Sequence, residues 1–322
     1  MLRGGIATTG VRPQMRADTR SVAHTLAPAK VNLALFIGAE RADGFHEVAT
    51  LFQAISLADE VRVERDSAAG APDRGSRIRL VVAGADLGPE EDNLAWRAAA
   101  AFVKETGLDG RIAIDLRKSI PAGAGLGGGS SDAAAVLRCL AALTGLDQPS
   151  LLTDIASGLG SDVPFFLGPS ATAIGRGRGE IIQAVDPLPE RPIAVALPPV
   201  HVATGPAYRA LAGSRKGSVP PLLPSLDQDV SWAELVGGRM TNDFEETVAA
   251  HHPPVATSLS AMRTAGAEIT MLSGSGAASF SLFEPGVDAA AVEIWCAKVS
   301  ASLGWPVVPC STRCRIPDVS VR

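Results

Sequence analysis

The sequence predicts an α+β fold in two domains, with a ligand cleft between them. Three observations predict it. The chain has 322 residues, more than one hydrophobic core commonly organises. Strand-like alternation and helix-like spacing both occur in each half of the chain. Three prolines, Pro187, Pro189 and Pro192, mark a change of segment near the middle. The expected layout is an arm over 1–24, a first domain over 25–186, a second over 187–308 and a loose tail over 309–322.

The first element runs from His24 to Gly38. Val31, Leu33, Leu35 and Ile37 alternate onto one face of a strand, which places Lys30, Asn32 and Ala34 together on the other. An amine and an amide two residues apart on one side can address one ligand; an exposed edge-strand lysine is the plainer alternative. Asp43-Gly44 is a turn signal, and Phe45-His46 follows it where an aromatic and an imidazole can meet a heterocycle. The apolar pattern resumes over Thr50–Val63, and residues 66–77 read as an exposed loop. Arg77–Ala83 alternates as a strand. Asp92-Asn93-Leu94 caps a helix that runs to about Val103, and Ile112–Leu116 is a further strand leading through Lys118.

Next comes Pro121-Ala122-Gly123-Ala124-Gly125-Leu126-Gly127-Gly128-Gly129-Ser130-Ser131-Asp132, followed by an alanine-rich helix. Five glycines in seven residues allow a tight curl and close approach of a ligand to backbone. Ser130 or Ser131 is the expected N-cap. The unpaired N–H groups of the helix start, at the positive end of its dipole, make an anion socket. A flexible linker would not run straight into a capped helix.

Leu151–Leu159 is a short helix, and Asp162 then stands before the apolar Val163-Pro164-Phe165-Phe166. An acid entering apolar surroundings needs a partner or a task, although a turn aspartate is the commoner role. In the second half, Ile193–Leu197 is a strand and Thr204-Gly205-Pro206 opens a helix carrying Tyr208, the one tyrosine of the chain. Residues 213–231 are rich in Ser, Pro and Gly. Helices are expected from Asn242 to His252, around Met262–Ala265, and over Val287–Leu303. Ser273-Gly274-Ser275-Gly276 forms a second glycine turn before the strand Ser279–Phe283.

Composition narrows the function. A net charge of −5 gives no basic surface for nucleic acid, so a small-molecule ligand is the default. No apolar run approaches membrane-spanning length. Met1–Arg20 holds four arginines and one acid but no apolar core of a secretory signal. The four cysteines lack zinc-site spacing and fit free thiols in a reducing cytoplasm.

Three kinds of phosphate loop compete for residues 121–132. The Walker string Gly-x4-Gly-Lys-Ser/Thr is absent. A dinucleotide fingerprint matches literally at Gly123-x-Gly125-x-x-Gly128, with Asp147 downstream. The strand before it, however, is half charged at Asp115, Arg117 and Lys118, and Asp147 follows a helix and a turn rather than a second apolar strand. The third pattern, Pro-x3-Gly-Leu-Gly-Gly-Gly-Ser-Ser, resembles the ATP loop of the galactokinase, homoserine kinase, mevalonate kinase and phosphomevalonate kinase (GHMP) superfamily. Within it the chain is similar to the branch acting on a cytidyl-diphospho methylerythritol. The resemblance lies in Pro28-Ala29-Lys30-Val31-Asn32-Leu33, Arg41-x-Asp43-Gly44-Phe45-His46, Leu57-x-Asp59, Asp92-Asn93-Leu94, Gly160-x-Asp162-Val163-Pro164-Phe165-Phe166, Asn242-Asp243-Phe244-Glu245 and Ser273-Gly274-Ser275-Gly276. It covers about residues 25 to 305.

The resemblance implies a GHMP-type fold: an ATP-binding domain like the second domain of ribosomal protein S5, then a ferredoxin-like α/β sandwich. It implies phosphorylation of a 2-hydroxyl by ATP with Mg2+, in the non-mevalonate route to isoprenoid precursors. Lys30 and Asp162 take the catalytic positions; Pro121 to Ser131, with Asn93, take the ATP. Asn32, Asp43, Phe45, His46, Thr204 and Tyr208 take the substrate, with Phe45-His46 on one side of a cytosine and Tyr208 on the other. Ser130 or Ser131 is the candidate protein ligand to magnesium, Ser130 the preferred one, and the Asp132 side chain is expected to turn away from phosphate or reach the metal through water. The family more often has tyrosine where this chain has Phe45, which removes a hydroxyl and keeps the stacking face. The alternatives are a homoserine or mevalonate kinase, or a non-catalytic ATP-binding regulator on the same scaffold. A monomer or weak homodimer is expected, with neither nucleic acid nor membrane as partner.

Overall fold

The computed structural model describes residues 20–68, 77–215 and 230–322. Two long strands, β1 (Arg20–Glu40) and β2 (His46–Asp66), pair antiparallel through most of their length and form the spine of the molecule. β3 (Ile78–Ala83) runs parallel to β4 (Arg111–Arg117), which pairs antiparallel with residues 60–66 of β2. The other end of β2 pairs with β5 (Thr172–Arg176), and β5 with β6 (Ile181–Ala184).

Helices α1 (Leu94–Thr106), α2 (Gly128–Thr144) and α3 (Pro149–Leu159) pack together, and α2 lies on β1 and β2. The run of alanines in α2 has a packing reason. Ala133, Ala134, Ala135 and Val136 are all fully or nearly fully buried between sheet and helices, where small side chains permit close approach.

After the proline cluster the chain builds a second sheet. β7 (Pro192–Ala196) is followed by α4 (Thr204–Ser214), the short turn α5 (Trp232–Glu234), β8 (Thr241–Asn242), α6 (Glu245–His251) and α7 (Pro253–Thr264). Then come β9 (Ile269–Leu272), β10 (Ser279–Leu282), α8 (Ala289–Leu303) and β11 (Val307–Ser311). The sheet order is β11-β7-β10-β9, antiparallel throughout, the order of a ferredoxin-like sandwich. Alternation along β7 serves two cores. Ala194 and Ala196 face α7 and α8, while Ile193 and Val195 face Val31, Leu33 and Ile55 of the first sheet.

Four expectations need correction. The break near residue 187 changes the segment but does not separate the cores, because both sheets share one apolar layer and β8 returns to pair parallel with Ala34 and Leu35. The end of the chain is ordered: β11 joins the second sheet, and β12 (Ser320–Val321) pairs with Ala23 and His24 of β1. The arm expected over 1–24 is in β1 from Arg20 onward. Along β1, a register shift between Asn32 and Ala34 puts Ala34 with Val31 and Leu33, and passes Leu35 and Ile37 to a third apolar cluster with α4 and α6. Residues 1–19, most of the 66–77 loop and most of the 213–231 segment lie outside the described residues.

Candidate active site

The glycine loop lines a cavity of about 570 Å³. The loop is held from both domains. Lys30 donates its backbone N–H to the Leu126 carbonyl at 2.9 Å, Ala278 donates to Ala124 O at 3.0 Å, and the Ser273 hydroxyl donates to Gly125 O at 3.0 Å. At Gly125, φ is +75° and a β-carbon would stand 2.2 Å from the Ser273 carbonyl, so only glycine fits. Asn242 secures the second glycine turn: its Nδ2 donates to Leu272 O and Gly274 O, and its Oδ1 accepts from Phe244 N.

α2 begins at Gly128 with Gly127 as its left-handed N-cap, φ +69°, and no side chain caps it. The expected serine cap is therefore not used. Glycine bends the chain here without the Cβ that would crowd Lys30, whose Cγ would lie 3.0 Å from it. Among the first-turn amides, Ser131 N already donates to Gly127 O at 2.9 Å. Gly128, Gly129 and Ser130 line the cavity. Ser131 does not; it is buried inside the helix and its hydroxyl has no partner. Of the two serines, only Ser130 lines the cavity.

Lys30 and Asp162 meet beside the loop. Nζ of Lys30 lies 3.4 Å from Oδ2 of Asp162 and donates to Oδ1 of Asn32 at 2.8 Å. Asn32 passes a hydrogen bond to the Thr50 hydroxyl at 2.7 Å, and Thr50 donates to Ala34 O at 2.7 Å. Lys30 is buried, its ammonium 5.5 Å from the Phe52 ring centre, whereas the Asp162 side chain keeps 31% of its exposure. A buried amine fixed by an amide thus faces a carboxylate open to the cavity.

A second charged group sits beneath the loop and escaped the reading of the sequence. Lys118 donates to Asp132 at 2.7 Å and also to Asp59, while Asp59 accepts from the Ser119 and Ile120 backbone N–H groups. Burial pushes the Asp132 carboxyl up to about 7; Lys118 opposes that rise and the Asp59 charge adds to it. Burial also works against the Lys118 charge, but the two carboxylates outweigh it and hold its pKa above the ordinary lysine value. Oδ2 of Asp132 accepts from Lys118, its Oδ1 is buried without a partner, and the residue still lines the cavity. Lys118 and Asp59 were legible only as members of a charged strand end and of a short motif, without roles.

The aromatic end differs from the expected sandwich. His46 stacks directly on Tyr208, ring centres 5.2 Å apart and 22° between planes, which leaves no room for a base between those two rings. His46 Nδ1 faces the Gly38 carbonyl at 3.2 Å. Phe45 stands half exposed, with the Arg178 guanidinium 4.9 Å from its ring centre. Tyr208 lines the cavity and packs edge-on against Phe244; burial, then the Asp162 charge, pushes its phenol up to about 12. Asp43 accepts from Phe45 N at 3.1 Å and pairs with Arg41; the Phe45 amide is the chief reason its pKa is lowered. Thr204 lines the cavity and shares a hydrogen bond with Ser275 at 3.2 Å, and Asn93 lines it while its Oδ1 caps α1.

Among the described residues no cluster of three or more His, Cys, Asp or Glu is spaced to hold a metal. The oxygen-bearing side chains that line the cavity include Ser130, Asp132 and Asp162, a hard-oxygen set compatible with a magnesium ion that takes most ligands from phosphate and water. None of the helices is long and apolar enough to cross a membrane, among the described residues. The four thiols are free.

A backbone anion socket at a helix start, faced by a buried amine and an open carboxylate, defines a small-molecule kinase of the GHMP class. The family model described as the GHMP kinases N terminal domain matches residues 93–168. The fold is shared by a homoserine kinase from Cytophaga hutchinsonii, with a TM-score of 0.64 at 17% identity over 97% of this chain and 100% of that one. The chain is 42% identical over 275 residues to the 4-diphosphocytidyl-2-C-methyl-D-erythritol kinase of Solibacter usitatus, covering 83% of each. A solved 4-(cytidine 5'-diphospho)-2C-methyl-D-erythritol kinase superposes with a TM-score of 0.70 at 34% identity, over 90% of this chain and 98% of that one. The chain belongs to the 4-diphosphocytidyl-2-C-methyl-D-erythritol kinase family.

Proposed function

We propose that this enzyme transfers the γ-phosphoryl group of ATP to the 2-hydroxyl of 4-diphosphocytidyl-2-C-methyl-D-erythritol, giving the 2-phosphate and ADP. The observation that carries the chemistry is the Lys30–Asp162 pair, 3.4 Å apart beside the glycine loop.

In the proposed reaction the loop amides and the start of α2 hold the triphosphate. The acceptor oxygen attacks the γ-phosphorus in line as the bond to ADP breaks, and the hydroxyl proton passes to Asp162. Lys30 pairs with Asp162 and offsets the charge gathering on the transferring oxygens. Asn32 holds Lys30 in line and presents its amide beside the acceptor. Such a reaction gains most of its rate from positioning and charge neutralisation. Bound magnesium supplies a further positive charge to the β- and γ-phosphates, with the Ser130 hydroxyl as the protein group able to meet it.

The base is held by rings rather than by a deep pocket. With His46 against Tyr208, the pair acts as one stacked wall and Phe45 as the ring facing the base from outside. Asp43 and Thr204 supply polar contacts. The route served is the non-mevalonate synthesis of isoprenoid precursors. An ADP-release assay with the cytidyl substrate, homoserine and mevalonate tests this reading. It predicts kcat/KM for the cytidyl substrate far above the other two, and equal or better turnover of either would overturn it.

A further inference from the structure

We propose that Arg178 binds the diphosphate of the substrate and thereby selects nucleoside diphosphates over uncharged nucleosides. This assignment rests on the substrate reading above.

Arg178 occupies the turn between β5 and β6, and it lines the cavity. The turn is fixed by backbone: Val48 N donates to Gly177 O at 2.7 Å, and Gly179 N to Arg176 O at 2.9 Å. The turn reaches both ends of the site. On one side the Arg178 guanidinium lies 4.9 Å from the Phe45 ring centre. On the other, a β-carbon at Gly179 would stand 3.8 Å from Cβ of Ser161, the neighbour of Asp162. In the substrate the diphosphate joins the cytidine to the methylerythritol. With the base at Phe45 and the 2-hydroxyl at Asp162, that diphosphate has to pass the turn that carries Arg178.

The cations lining the cavity narrow the choice. Lys30 is engaged with Asp162 and Asn32, and Lys118 is held between two carboxylates. Among the described residues, Arg178 is the remaining one. Glu180 accepts from Arg178 N at 2.6 Å and from Nε at 3.4 Å, which orients one edge of the guanidinium. No described hydrogen bond uses its terminal nitrogens. A planar fork with a free edge suits phosphate oxygens better than a point charge does. The Glu180 and Asp43 carboxylates nearby disfavour a bare anion, so ring stacking of the base and the guanidinium must act together.

The test is calorimetric binding of CDP and of cytidine to wild type, Arg178→Ala and Arg178→Lys, with steady-state kinetics on the full substrate. One charge-assisted hydrogen bond pair corresponds to about tenfold or more in affinity. Wild type is expected to bind CDP well above cytidine. Arg178→Ala should weaken CDP about tenfold and cytidine less than threefold, raise KM for the substrate about tenfold, and leave KM for ATP and kcat within about twofold. Arg178→Lys should fall between. Equal losses for CDP and cytidine would mean that Arg178 only supports Phe45, and unchanged CDP affinity would remove it from the site; either overturns the assignment. If those results come with efficient turnover of the cytidyl substrate by wild type, the substrate reading stands without Arg178. A wild type that neither prefers CDP nor phosphorylates that substrate sinks both.

Discussion

Lys118 donates to Asp132 at 2.7 Å under the first turn of α2, so a buried carboxylate and a buried ammonium support the phosphate socket from below. Because burial lifts the Asp132 carboxyl from 3.8 to about 7, the folded state holds a proton that the unfolded chain releases between those values. Stability from this group is therefore present at low pH and is lost as pH rises from about 4 to about 7. Denaturant midpoints of wild type, measured relative to Asp132→Asn, should fall across that window and level off above it. A flat difference from pH 4 to 8 would contradict the assignment.

The loop depends on glycine at a crowded position. Gly125→Ala must place a Cβ against the Ser273 carbonyl at positive φ, a strain of about 1–2 kcal/mol from the dihedral alone. The expected outcome is a rise in KM for ATP of about tenfold or more with a lower Tm. Unchanged ATP kinetics would show that loop and second glycine turn do not need their close contact.

Thr50 tests the chain of hydrogen bonds behind the catalytic lysine. Thr50→Val keeps the shape but removes the hydroxyl that accepts from Asn32 and donates to Ala34 O. Loss of these two buried hydrogen bonds, at about 1 kcal/mol each, costs about 2 kcal/mol of stability. The variant should also lose kcat by about tenfold, with KM for ATP nearly unchanged. A variant that loses stability while kcat holds would confine Thr50 to folding.

Tyr208 separates stacking from acid–base roles. Its phenol, pushed up to about 12, stays neutral through the working range. Tyr208→Phe should leave the pH–rate profile between pH 6 and about 10 unchanged. Tyr208→Ala removes the ring and should raise KM for the cytidyl substrate about tenfold, since one base–aromatic stack is worth about 1–3 kcal/mol. A shift of the profile in the phenylalanine variant would give the hydroxyl a part in proton transfer.

What was legible follows from local signals. Alternation along β1 puts Lys30 and Asn32 on one side, and glycine followed by alanine-rich helix marks the socket. The serine cap failed because Gly127, in the left-handed region, starts the helix three residues before Ser130 and so takes both serines into its first turn. The Asp59–Lys118–Asp132 group was invisible because its members are 59 and 14 residues apart and meet only when β2, the strand end and α2 are packed. The ordered tail was missed for the same reason. Val307–Ser311 is short, contains a proline and is defined by pairing with β7, a partner more than a hundred residues earlier.

Asp162→Asn tests the central claim most directly. Replacing the carboxylate by its neutral isostere leaves the glycine loop and the α2 start untouched while removing the group that receives the hydroxyl proton. Measured in single-turnover phosphoryl transfer alongside calorimetric ATP binding, the rate should fall by about 10²–10⁴ while ATP affinity stays within about twofold. A variant that transfers phosphoryl at near wild-type rate would contradict the account.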